Sequence, residues 1–172
     1  MDTRQLGFGD LTGLGPIEQW PVGRLFALAS RMSGPVVSRL IERHGVSPVG
    51  FFTLRMLLAE DGLRAGEIAK RMLITPASAT SVVDTLERNG HVERRRSESD
   101  RRAVLVYITE EGRRLLVEKG PPIGRDLWHL YDVVDEPDAP AVRRFLVNLI
   151  KRFEEYPVAI PEDRPEAKGD GA

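Results

Sequence analysis

The sequence predicts a mainly α-helical chain carrying one small β-hairpin. Three observations predict it. Apolar residues recur at spacings of three and four along most of the chain, the period of an amphipathic helix. Cap-and-proline pairs, Ser47-Pro48 and Thr75-Pro76, mark helix starts. After Gly90 the apolar period falls to two, the signature of strands.

The length of 172 residues suits one domain with short extensions, and 41% hydrophobic against 30% charged residues is a globular balance. Residues 1–15, with four glycines and little periodicity, read as a mobile arm. Residues 157–172, rich in Pro, Gly and charge, read as a disordered tail. The folded part is therefore expected over 16–156.

Taken in order, the first helix starts near Trp20-Pro21. Its apolar face comprises Val22, Leu25, Phe26, Ala29, Met32, Val36, Val37, Leu40 and Ile41. Gly34-Pro35 should kink it, because proline removes a backbone bond, and Gly45 ends it. A second helix runs from Ser47-Pro48 to about Glu60 and buries Phe51, Phe52, Leu54, Leu57 and Leu58. Asp61-Gly62 is a turn. A short helix over Arg64–Met72 and a brief Leu73-Ile74 connection lead to Thr75, the cap of the next helix. That helix buries Ala79, Val82, Val83 and Leu86 and stops at Asn89-Gly90. Two helices so closely joined form a helix-turn-helix. Strands over Val92–Arg95 and Ala103–Ile108 flank a charged loop, Arg96 to Arg102. The unit is a winged helix. Thr109 caps a long helix that Gly120-Pro121-Pro122 must break or kink. Asp138 caps the last one, with Val142, Phe145, Leu146, Leu149, Ile150 and Phe153 on one face.

Several function classes are excluded. Without cysteine there is no disulfide scaffold, thiol nucleophile or Cys-ligated zinc. His44, His91 and His129 are never at i, i+3 or i+4 from one another, so a His-rich metal site is not expected. No nucleophile elbow or phosphate loop appears. The carboxylate pairs Glu110-Glu111 and Glu154-Glu155 are adjacent on helices and project about 100° apart, so they do not converge for catalysis. An enzyme is not expected. No apolar run approaches the roughly 20 residues of a membrane span, and no signal peptide is visible, so a cytoplasmic location is expected.

The net charge of −1 hides an asymmetry. Arg64 to Arg114 carries 11 basic against 8 acidic residues, an excess of three; the remainder carries 14 against 18, a deficit of four. The excess is sharpest from Arg88 to Arg102, with six arginines against Glu93, Glu98 and Asp100. A local basic patch on a neutral chain points to an anion-binding surface, nucleic acid first. A solvated charged hairpin is the alternative.

The segment from Gly66 to Leu116, and above all VVDTLERNG (82–90), the wing ending Asp100-Arg101-Arg102, and LVYITEEG (105–112), resembles the MarR family of bacterial transcription regulators. Weaker likeness extends from about Trp20 to Tyr156. The resemblance implies a winged helix over about 48–112 and dimerisation helices over about 20–44 and 113–156. It implies a homodimer on palindromic double-stranded DNA, usually a repressor released by a small ligand.

In a helix-turn-helix the second helix enters the major groove, so Thr75, Pro76, Ala77, Ser78, Thr80 and Ser81 would meet base edges. The family often has a basic residue where Ser81 stands, which shifts expected affinity toward the wing. There Asp100 would orient Arg102 into the minor groove, and Arg94, Arg95, Arg96 and Arg101 would contact phosphates. No cofactor is implied beyond a small anionic aromatic effector. Trp20, Arg24, Phe51, Phe52, Arg55 and Met56 fall on the helices that usually line its pocket. The alternative reading makes Phe51, Phe52 and Met56 ordinary core and the arginines surface. The rival to DNA binding is a winged-helix protein-interaction module whose basic hairpin meets an acidic partner.

Overall fold

The computed structural model describes residues 15–97 and 103–156. The expected arm and tail therefore lie almost wholly outside the described residues, as do Asp100, Arg101 and Arg102. The elements are α1 (Val22–Glu42), α2 (Pro48–Ala59), α3 (Ala65–Met72), α4 (Pro76–Arg88), β1 (Val92–Arg96), β2 (Val104–Ile108), α5 (Glu110–Tyr131) and α6 (Ala139–Glu154). Among the described residues, a 3-10 turn at Ile17–Gln19 precedes them. The class is the expected one, mainly α with a two-stranded antiparallel hairpin. No described helix is long and apolar enough to cross a membrane.

The chain divides into two compact units, residues 1–48 and 49–172. In the first, α1 buries Leu28, Leu40 and Ile41, and Val22 is 60% exposed. Gly45, with φ at +75°, reverses the chain after it. Pro35 lies inside α1, which continues past it.

In the second unit, α2 to β2 build a shared core that includes Phe51, Leu54, Leu57, Ile68, Val83, Val92 and Val106. Burying each such side chain contributes about 1.5–3 kcal/mol. The turn after α2 is tied to the hairpin. Val106 N–H donates to Leu63 O (2.8 Å), and Gly62 N–H donates to Val106 O (3.1 Å). Leu63 thus adds a one-residue bridge beside β2. Asp61 locks this arrangement, its Oδ1 accepting from the Ile108 N–H (2.9 Å) while Oδ2 takes Arg113 (3.1 Å).

Two expectations need correction, one on the sides of α2 and one on the cap of α6. Phe52 and Leu58 are exposed, at 37% and 50%, because α2 is apolar on nearly every side and only one side meets the core. Val104, paired with Arg96 at the loop end of the hairpin, is exposed. The helix from Glu110, expected to break or kink at Gly120-Pro121-Pro122, runs unbroken to Tyr131 with both prolines inside. Each proline removes one i→i−4 bond. Leu116 and Ile123, seven residues apart and both buried, anchor the same face on either side of the gap. Finally, Asp138 occupies the N-cap of α6 but its side chain makes no capping bond.

Candidate nucleic-acid interface

The exposed start of α4 is built by its cap. Thr75 Oγ1 accepts from the Ser78 N–H at 3.1 Å and lies 2.9 Å from Ser78 Oγ. Pro76 follows in the first turn, where its missing N–H costs nothing. The preceding turn is strained, since Leu73 has φ at +53°, a left-handed conformation unusual for a residue with a Cβ.

The expected base-reading residues come together as one exposed surface. Pro76, Ala77, Ser78, Thr80 and Ser81 are all exposed, and Thr75 is half-buried as the cap. Thr80 Oγ1 donates to Pro76 O (3.0 Å), and Thr85 Oγ1 donates to Ser81 O (2.9 Å). These threonines spend their hydroxyl hydrogens inside the helix. What remains for a partner is oxygen lone pairs and methyl groups. That set suits acceptance from base amino groups and contact with the thymine methyl.

The hairpin pairs Val92 with Ile108 through Arg96 with Val104. The three arginines of β1 have different fates. Arg94 turns back onto α4: its guanidinium bonds Asp84 Oδ1 at 2.6 Å and also bonds the Glu87 carboxylate. Its side chain is only 26% exposed. Burial opposes its charge, but the bonds to Asp84 and Glu87 outweigh that and hold its pKa above the ordinary value. Arg95 pairs with Glu93 and lies over the Tyr107 ring, 4.9 Å from its centroid. Arg96, at the end of β1, is exposed. The two acids that engage Arg94 escaped notice in the sequence. Their i, i+3 spacing on one helix was the available signal.

The hairpin is docked through α5. Thr109 Oγ1 accepts from the Gly112 N–H (3.1 Å) and donates to Gly90 O (2.6 Å). Gly112 is required by close approach: a Cβ there would meet His91 O at 2.3 Å.

The six expected ligand residues fall in different places. Trp20 and Arg24 belong to the first unit, with Arg24 stacked 5.5 Å from the Trp20 ring centroid. In the second unit a cavity of about 290 Å³ is lined by Phe51, Arg55, Leu58, Ala59, Leu116 and Gly120. The Arg55 guanidinium lies 6.0 Å from the Phe51 ring centroid. Phe52 and Met56 are not among its lining residues. Leu58, Ala59, Leu116 and Gly120 are not among the six residues expected to line a ligand pocket.

A capped helix-turn-helix followed by an antiparallel hairpin, with its second helix exposed at the start, defines a winged helix-turn-helix protein. Comparison with known proteins narrows this. Residues 46–104 match the model of the MarR family. The chain is 31% identical over 93 residues to the uncharacterized HTH-type transcriptional regulator YkoM of Bacillus subtilis, covering 54% of this chain and 60% of that protein. It is 33% identical over 78 residues to the HTH-type transcriptional repressor MdtR of the same organism, covering 45% of this chain and 50% of that one. Wild-type MarR of Escherichia coli superposes with a TM-score of 0.66 at 20% identity, over 76% of this chain and 97% of that one. The sequence likeness to the MarR family thus lies in the winged-helix segment, and the likeness of fold to MarR extends over three quarters of the chain. The chain spans only about half to three-fifths of the length of the two Bacillus relatives.

Proposed function

We propose that this chain is a sequence-specific double-stranded DNA-binding transcription regulator, working as a homodimer on an inverted repeat and as a repressor. The observation that carries the reading is the exposed Pro76–Ser81 face of α4, next to a hairpin that ends in exposed arginine. Phosphate contacts from the hairpin would position the protein, and the hydroxyl and methyl groups of α4 would select sequence. Asp100, Arg101 and Arg102, which lie outside the described residues, would add minor-groove and phosphate contacts by family likeness. A cytoplasmic location accords with this role.

Homodimerisation rests on α6. None of its residues is buried, and Phe145, Leu146, Ile150 and Phe153 are 37–59% exposed. An apolar face of that extent resembles half of an obligate interface. A two-fold axis would then set the half-sites about one helical turn apart.

A small anionic aromatic effector suits the α2–α5 cavity, which is mostly apolar with one cation, Arg55. Its binding would act by favouring a spacing of the two recognition helices that does not fit the operator.

Selection of bound fragments from a random duplex pool at about physiological salt tests the reading, with Arg102→Ala beside the wild type. Enrichment of an inverted repeat, with affinity lost in the variant, is the expected result. Absence of any enriched motif would refute operator recognition and favour the protein-interaction module.

A further inference from the structure

We propose that Arg94, Asp84 and Glu87 form a strut that sets the angle between the recognition helix and the wing, so that Arg94 is a positioning residue and not a phosphate contact. The proposal rests on the DNA-binding reading for its functional meaning.

Three bonds make the strut. The Arg94 guanidinium bonds Asp84 Oδ1 at 2.6 Å and the Glu87 carboxylate with its other terminal nitrogen. The Arg94 backbone N–H donates to Glu87 Oε1 at 3.1 Å. Glu87 therefore holds both the main chain and the side chain of the same residue. Asp84 and Glu87 stand one turn apart on α4, so the planar guanidinium spans a full turn of the helix. The clamp is placed where it matters, in the middle of β1 and on the second half of α4. Without it, α4 and the hairpin are joined by Asn89, Gly90 and His91, by apolar contacts, and by the Thr109 bonds to Gly90 O and His91 O, which tie the base of the hairpin and not the middle of β1.

Charge supports the same assignment. An arginine already shared between two carboxylates has little positive potential left for a phosphate. Withdrawing it for a phosphate would leave Asp84 and Glu87 unpaired on the helix that approaches DNA. As a strut it does the opposite, screening both acids from the phosphates while it fixes geometry.

Phosphate contacts and positioning residues differ in what they do to selectivity. Losing a phosphate contact weakens all duplexes alike and flattens the salt dependence by about 0.9 in slope per contact. Losing the strut misplaces the wing relative to the base-reading helix and lowers the preference for the operator over random duplex. The experiment compares wild type, Arg94→Met and the double variant Asp84→Asn/Glu87→Gln. For each, operator and random-duplex affinities are measured across a salt series, and amide exchange of residues 92–96 is measured without DNA.

The expected result is a fall of about tenfold in the operator-to-random ratio in both variants, the scale of a coupled network. Combining all three substitutions should lower the ratio little further. Exchange of the β1 amides should quicken in both variants. An Arg94→Met variant weakened equally on all duplexes, with a flatter salt slope, beside an acid-less variant of unchanged ratio, would overturn the proposal. Should the wild type prefer no sequence, the regulator reading fails on its own. The strut is then judged by exchange, which must quicken in both variants or the strut is refuted.

Discussion

Replacing Gly112 by alanine sets two effects of opposite sign against each other. Alanine is the better helix former by about 1 kcal/mol, so at an open helical site the change stabilises. At Gly112 the added Cβ would lie 2.3 Å from His91 O and 2.9 Å from Ile108 Cγ1, inside the 3.0 Å that Cβ atoms essentially never breach. The obstructing atom is a backbone oxygen, itself held by the Thr109 N–H at 3.0 Å, so it cannot rotate away. Relief requires the first turn of α5 to move off the start of β1 by most of an ångström. That costs overpacking strain of about 1–3 kcal/mol. Weakening the Thr109–His91 bond adds about 1 kcal/mol. Net of the propensity gain, Gly112→Ala should destabilise by about 1–3 kcal/mol. The assay is urea unfolding at fixed protomer concentration, with Gly124→Ala as the partner measurement. Gly124 lies on the same helix with nothing within 4 Å of the added atom, so its midpoint should rise. If Gly112→Ala matched or exceeded the wild type, the close approach of α5 to β1 would be wrong and so would this account of how the wing is docked.

Further outcomes follow from the same geometry. Leu73→Gly should stabilise by about 0.5–1 kcal/mol in urea unfolding, because it removes left-handed strain at a residue 66% exposed that buries little. Asp61→Ala should cost about 2 kcal/mol, since the Ile108 N–H loses a charged acceptor, and amide exchange should quicken at Ile108 first. The Glu60 carboxyl is held below its ordinary pKa by the hydrogen bond from Arg71. Its contribution is therefore present above the unfolded carboxylate value and lost as pH falls through the folded one. Urea midpoints of wild type and Glu60→Gln should accordingly differ slightly at neutral pH and converge in acid.

Where local chemistry decided the structure, the sequence was legible. The bounds of α4 follow from Thr75-Pro76 and Asn89-Gly90, and the helix runs from Pro76 to Arg88 between them. The hairpin was visible in the change of period, and its register keeps Val106 and Ile108 buried on one face. Distance in the chain hid the rest. Asp61 looked like a turn residue, yet its most telling partner is the backbone of Ile108, 47 residues on. The prolines of α5 obeyed their local rule in losing bonds and still failed to break the helix. Burial at Leu116 and Ile123 lies outside any local rule. In α2, apolar residues at 51, 52, 54, 56, 57 and 58 go round the whole helix, so periodicity could not choose Phe51 over Phe52 as the buried ring.

Charge counting shows the same boundary with more consequence for function. The basic excess between Arg64 and Arg114 suggested a wing that binds phosphate by weight of arginine. Of the nine cations of that stretch among the described residues, at least five are engaged with carboxylates: Arg71, Arg94, Arg95, Arg113 and Arg114. An exposed pair such as Arg95–Glu93 adds little stability and can open toward a phosphate. Arg94, held by two acids and three bonds, is the one that cannot be released without dismantling the junction it spans. The cations available to DNA are thus fewer than the sequence implies. Each missing one lowers non-specific attraction while leaving base contacts untouched. On that arithmetic a hydroxyl-rich recognition helix without an early arginine is no weakness. On the proposed reading it would trade affinity for any duplex against preference for one, and that preference would depend on how rigidly the wing is set beside it.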